Sequence, residues 1–119
     1  VPRWARYPFE IWIVPYRRVS NIFELSENEQ KDLAELMLDA SKSLDKVFDE
    51  PMPYTLAWQL SPKGYENSYH FHVCFQPIRR SKTKLKYLAG VEQITGFYLV
   101  DLPPERSASI LRGEELPDE

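Results

Sequence analysis

Both histidines of this 119-residue chain stand in one short segment, His70-Phe71-His72, inside the aromatic run Tyr69 to Gln76. If that run is a strand, alternate side chains share a face. His70, His72 and Cys74 then look one way, and Tyr69, Phe71, Val73 and Phe75 the other. The two imidazoles stand about 7 Å apart, twice the rise per residue, which lets both converge on one metal ion or one phosphate. Imidazole can act as a neutral ligand, as a cationic partner of phosphate, or as a nucleophile. The plainer alternative is a pair of half-buried histidines that hydrogen-bond to their neighbours. A metal would require a third ligand. The candidates are Gln59, a poor ligand for zinc or iron; Glu66, which reads as a solvated loop charge; and Cys74, a good ligand, although a lone strand cysteine is more often a small core residue.

Just beyond lie Arg79, Arg80, Lys82, Lys84 and Lys86. At a strand-to-helix junction such cations can hold phosphate beside free helix amides; the alternative is a solvated cationic turn. Arg17-Arg18 reads as surface. Trp4, Trp12 and Trp58 read as core or interface residues, with base stacking as the rarer use.

The elements that must carry these groups can be read in outline. Phe9 to Val14 reads as a strand stopped by Pro15. Ser26 and Glu29 form a capping box. After it, Leu33, Leu36, Met37, Ala40, Leu44, Val47 and Phe48 fall on one face of a helix that should end near Phe48, before Pro51 and Pro53. Tyr54 to Leu60 is a second strand, Ser61 to Ser68 a hairpin loop, and Tyr69 to Gln76 a third strand closed by Pro77. Lys82 to about Thr95 reads as a helix broken by Gly96, Phe97 to Val100 as a last strand, and Pro104 to Leu111 as a closing helix ahead of Gly113. The expected architecture is α+β: one domain over residues 1–119, with a mostly antiparallel sheet packed against two or three helices.

Composition narrows the function classes. Hydrophobic residues make up 43% and charged residues 28%, as in an ordinary folded domain. The net charge of -3 and the few aromatics among the cations argue against a nucleic-acid groove. No apolar run approaches the roughly 20 residues of a membrane helix. Cys74 is the only cysteine, which excludes an internal disulfide and suits a cytoplasmic setting. A chain that opens Val1-Pro2-Arg3-Trp4, without Met, reads as processed or excised from something longer.

At this point the chain resembles one family along nearly its whole length. Trp4-Ala5-Arg6-Tyr7-Pro8-Phe9-Glu10-Ile11-Trp12-Ile13-Val14-Pro15 is similar to the start of the second half of galactose-1-phosphate uridylyltransferase. Leu25-Ser26-Glu27-Asn28-Glu29, Pro53 to Gln59, His70-Phe71-His72 with Gln76-Pro77 and Arg80-Ser81, Lys86-Tyr87-Leu88-Ala89-Gly90-Val91-Glu92, and Pro104-Glu105 through Leu111-Arg112 resemble its later segments, in order.

The resemblance implies a histidine-triad-like fold, duplicated in the full-length enzyme, and exchange of uridylyl between UDP-glucose and galactose 1-phosphate by a ping-pong route. It places the nucleophile in a His-Pro-His motif of the other, N-terminal half; no such motif occurs here, so this chain is expected to hold no catalytic nucleophile. It matches His70 and His72 to ligands of a structural zinc or iron. Gln59 stands where the family has a third histidine, and the glutamate ligand falls outside the chain. It matches Lys86, Ala89, Gly90, Val91 and Glu92 to the segment that touches the nucleotide sugar across a homodimer. The family often has Tyr at Val91 and Gln near Tyr98. Two other functions stay open: a sister nucleotidyltransferase or phosphorylase acting on ADP-glucose or a dinucleoside polyphosphate, and a non-catalytic metal- or anion-binding domain. A free-standing histidine-triad hydrolase fits less well, because Cys74 stands where its third histidine would fall.

Overall fold

A computed structural model describes residues 1–118. Three strands, β1 (Ile11–Ile13), β2 (Tyr54–Gln59) and β3 (His72–Pro77), form an antiparallel sheet in the order β1-β3-β2. The helices are α1 (Glu27–Val47), α2 (Gly90–Thr95) and α3 (Pro104–Leu111). The α+β architecture is the one the residue pattern calls for. Among the described residues no helix is long and apolar enough to cross a membrane.

The long helix forms where its signals place it. The Ser26 hydroxyl accepts from the Glu29 amide, and the Glu29 carboxylate accepts from the Ser26 amide, so two free amides of the first turn are satisfied. Its apolar stripe carries Ala40, Leu44 and Val47 into the core, with Leu44 fully buried. Past the helix, Asp49 turns into the left-handed region with φ 54°, and the Met52 amide donates to Asp45, tying the exit back to the last turns.

The central strand decides what the sheet presents. Val73 and Phe75 point into the core, joined by Phe71 and by Ile11, Ile13 and Leu56 from the neighbouring strands. On the opposite side the register aligns Trp12 with Cys74 and Ala57, and Gln59 with His72.

Four expectations need correction. The first strand starts at Ile11 rather than Phe9, because Phe9 sits at φ 59°, a conformation no ladder accepts. Its amide donates to the Ser107 hydroxyl instead, and its ring packs edge-on to Phe48. The third strand starts at His72, not Tyr69: the Ser68 and Tyr69 amides close a turn on the Tyr65 carbonyl, and the Phe71 amide donates to Val19. The helix expected from Lys82 is confined to Gly90–Thr95. Upstream of it, Arg79 and Leu85 form an isolated antiparallel bridge, and the Lys86 amide donates to Ile78, so the chain folds back on itself instead of coiling. Finally, residues 97–100 form no strand; side chains satisfy the backbone of Leu99 instead.

Candidate functional site

Two places hold the residues with chemical capacity: the imidazole side of the sheet, and the loop that carries α2. On the first, Phe71 goes to the core and the two imidazoles are half-buried. His70 holds the Pro15 carbonyl through Nε2 at 2.8 Å, and His72 holds the His70 carbonyl through Nδ1 at 3.0 Å. A carbonyl oxygen only accepts, so each of those ring nitrogens carries the hydrogen. That leaves Nδ1 of His70 and Nε2 of His72 as the free acceptors. The His72 ring lies against Trp12, centroid to centroid 4.4 Å and nearly parallel, with Tyr69 6.1 Å away on a similar plane.

What fixes Trp12 is a residue the sequence reading passed over. Glu10 is completely buried. Its carboxylate accepts from the Trp12 indole at 2.8 Å, from the Arg6 amide at 2.8 Å and from the Tyr7 amide at 3.1 Å. The one available signal was an acid placed in the otherwise apolar run Phe9 to Val14: a charge is buried there only if donors meet it. Cys74, on the same side of the sheet, is 2% exposed. Burial first, and the nearby Glu10 charge second, push its thiol up to about 11, so it is no nucleophile at neutral pH.

Carbonyl-anchored imidazoles are the usual arrangement of metal ligands. The donor set, however, is short. Among the described residues no group of three or more His, Cys, Asp or Glu side chains could hold a metal ion. The residues present do not fit a complete zinc or iron site.

The second place is built around Lys86 and Glu92. Lys86 Nζ lies 3.0 Å from Glu92 Oε2 and donates to the Leu99 carbonyl at 2.6 Å. The Glu92 carboxylate also accepts from the Ala89 amide at 2.9 Å and the Leu99 amide at 3.1 Å. These hydrogen bonds, the Ala89 amide first and Lys86 next, hold its carboxyl below the ordinary carboxylate range. The two side chains are 4% and 2% exposed. Tyr7 and Tyr98 lie with ring centroids 6.1 Å apart, with Lys86 Nζ 5.8 Å from the Tyr7 ring centroid and Arg6 stacked over Tyr98. Of the other candidates in this segment, Val91 is exposed and Gly90 opens α2.

The basic stretch separates on folding. Arg79 pairs with Glu50, Arg80 with Asp101 and Lys86 with Glu92, while Lys82 and Lys84 stay exposed. Its paired members are neutralised within the chain, which argues against a ready phosphate cradle there. A separate cavity of about 460 Å³ is lined by Pro15, Leu25, Leu33, Leu36 and Phe71, with the Arg17–Glu29 ion pair in its wall. Its wall is largely apolar and includes neither histidine nor Cys74.

Comparison with known proteins shows the family of the chain. The family model described as "Galactose-1-phosphate uridyl transferase, C-terminal domain" matches residues 1–119. The galactose-1-phosphate uridylyltransferase of Thermotoga maritima is 37% identical over 119 residues, covering 98% of this chain and 37% of the relative. That of Rattus norvegicus is 33% identical, covering 94% and 31%. The chain thus spans about a third of the length of these relatives. Among solved structures, a uridylyltransferase superposes with a TM-score of 0.86 at 32% identity, over 96% of this chain and 37% of that one. An ADP-glucose phosphorylase from Arabidopsis thaliana, with bound ADP-glucose, gives 0.79 at 27% identity, over 97% and 36%. Matched from end to end in sequence and in backbone, the chain belongs to the galactose-1-phosphate uridylyltransferase family, as its C-terminal domain.

Proposed function

We propose that this domain serves a nucleotidyltransferase that moves uridylyl between UDP-glucose and galactose 1-phosphate, and that it supplies binding and assembly surface, not the nucleophile. The observation that carries the reading is the end-to-end match to the C-terminal domain of that family. The chemistry of the chain supports the division of labour. Both imidazoles spend one nitrogen on a backbone carbonyl, and Cys74 is buried and protonated. The thiol is therefore no nucleophile, and the His-Pro-His motif expected to carry the family's nucleophile does not occur in this sequence. The reacting histidine is assigned to an N-terminal half of the complete enzyme.

The loop from Lys86 to Leu99 is the part offered to that half or to a second copy in a homodimer. Its outer side exposes Tyr87, Val91, Ile94, Phe97 and Leu99, an apolar set that a lone domain in water would bury. Lys86, Ala89, Gly90, Val91 and Glu92 form the stretch assigned to the nucleotide sugar. His70 and His72 could give at most part of a metal site, and no step of transfer is routed through one.

The test is turnover by the full-length protein. Uridylyl exchange between UDP-glucose and galactose 1-phosphate is expected, and it should stop when the N-terminal half is removed. A second reading, a phosphorylase acting on ADP-glucose, is favoured by the superposition on the Arabidopsis enzyme. Phosphate-dependent cleavage of ADP-glucose, with no uridylyl exchange, would select that second reading.

A further inference from the structure

We propose that the ring-bearing side of the sheet, from Trp4 through Trp12 to His72 and Tyr69, is a docking surface, and that its occupant is the stretch of the full-length protein that runs into Val1. The proposal rests on the reading above for there being such a stretch; the surface itself does not depend on it.

Four aromatic rings stand in a row on this side. Trp12 lies nearly flat against His72, 4.4 Å between centroids, and Tyr69 follows at 6.1 Å on a similar plane. Trp4 meets Trp12 edge-on, with centroids 5.6 Å apart and planes at 77°. Trp12, His72 and Tyr69 are half-buried, and Trp4 is 67% exposed. An indole held in one place yet left in water gives up most of its burial, and such anchored aromatics are the usual centres of protein contacts. The chemistry selects an apolar occupant. The indoles carry no charge, and the Glu10 carboxylate behind them is already met by three donors.

The entry of the chain says which apolar segment that is. The Ala5 amide donates to the Pro2 carbonyl at 3.1 Å, closing a turn that carries Trp4. Glu10 ties this turn to the sheet, since one carboxylate oxygen takes the Arg6 and Tyr7 amides and the other holds the Trp12 indole. Val1 is three residues from Trp4, so even an extended chain keeps their Cα atoms within about 11 Å. Residues before Val1 therefore start beside the patch. The relatives have many of them. The chain spans 37% of the Thermotoga maritima protein and 31% of the Rattus norvegicus one, and it matches the family's C-terminal domain, so most of each relative precedes the matched stretch. A segment tethered at the rim of a surface meets it intramolecularly, at an effective concentration that a separate partner lacks. A second copy has no such tether.

The test is made on the full-length protein. Trp4→p-benzoylphenylalanine places a photo-crosslinker at the patch, and peptide mass spectrometry reads what it captures. The expected result is a crosslink within one chain, to the peptides just before Val1. Capture of a second copy, seen at twice the monomer mass, would overturn the proposal, as would capture of any other part of the chain or of nothing. Hydroxyl-radical footprinting of the unsubstituted protein gives a second reading, should the variant fold poorly. Trp4 should be oxidised severalfold more slowly in the native protein than in the unfolded one; similar rates would mean an open patch and would sink the idea. Neither measurement reads turnover. A full-length protein that exchanges no uridylyl would remove the functional reading and leave the docking result standing, while an active protein with an open Trp4 would remove only the docking.

Discussion

Glu10 shows how much can rest on one carboxylate. It is buried without a cation, yet three donors meet it: two backbone amides and the Trp12 indole. Glu10→Ala leaves those donors unsatisfied, and the expected loss is about 2–4 kcal/mol. A shifted urea midpoint in the full-length protein measures it, and changed Trp fluorescence should accompany it as the indole loses its anchor; an unchanged midpoint would refute the account. Glu92 is the second acid to watch. Its folded-state pKa is depressed by the Ala89 amide and Lys86. Its contribution is therefore fully present above the ordinary carboxylate pKa and is lost as pH falls through the folded value. The amide resonances of Ala89 and Leu99 should hold steady from neutral pH down to the ordinary carboxylate range and shift only below it. A transition near neutrality would contradict the assignment.

Elements formed where local signals and tertiary demands agreed. Helix α1 carries a capping box, an apolar stripe and a stop ahead of two prolines, and it forms over Glu27–Val47 as those signals direct. Its cap can be tested alone: Ser26→Ala should cost about 1 kcal/mol, read as a lowered thermal midpoint. An unaltered midpoint would mean that the Arg17–Glu29 contact holds the helix start unaided. Where the signals were weak, the contacts prevailed. Residues 82–89 are rich in helix-forming lysine and leucine, yet the bridge between Arg79 and Leu85 and the bond from Lys86 to Ile78 keep them out of a helix. Aromatic residues around Phe97 suggested a strand, but among the described residues no partner strand pairs with them. The candidate site divides in the same way. The His-Phe-His spacing and the Lys86-to-Glu92 run were legible as residues of interest. That Lys86 and Glu92 meet was not, because their bond depends on the loop between them closing.

The whole molecule is a flattened slab, 42 × 34 × 21 Å, with a radius of gyration of 15.4 Å. A compact chain of this length would have a radius of about 13.5 Å. Helix α1 packs against β1 of the three-stranded sheet and α3 against α1, and the other side of the sheet carries Trp12 and His72 with Trp4 edge-on and largely exposed. Together with the apolar loop around α2, that leaves much hydrophobic surface in water. Expressed alone, this stretch should self-associate at micromolar concentration, seen as a mass above 14.0 kDa in light scattering. A clean monomer at about 100 μM would argue against the loop as an assembly surface.

Periodicity, caps and prolines determined by themselves the long helix, the existence of three antiparallel strands and the closing helix, because each depends on groups a few residues apart. The family was legible too, since its segments recur in order along the chain. Tertiary structure alone decided that Glu10 is buried beneath Trp12, that Arg79, Arg80 and Lys86 of the basic stretch pair with Glu50, Asp101 and Glu92, and that two residues expected to touch a ligand touch each other. The reason is physical: a charge takes whichever partner the folded chain brings within reach, and residues distant in sequence are brought there only by the closing of loops and the packing of the core.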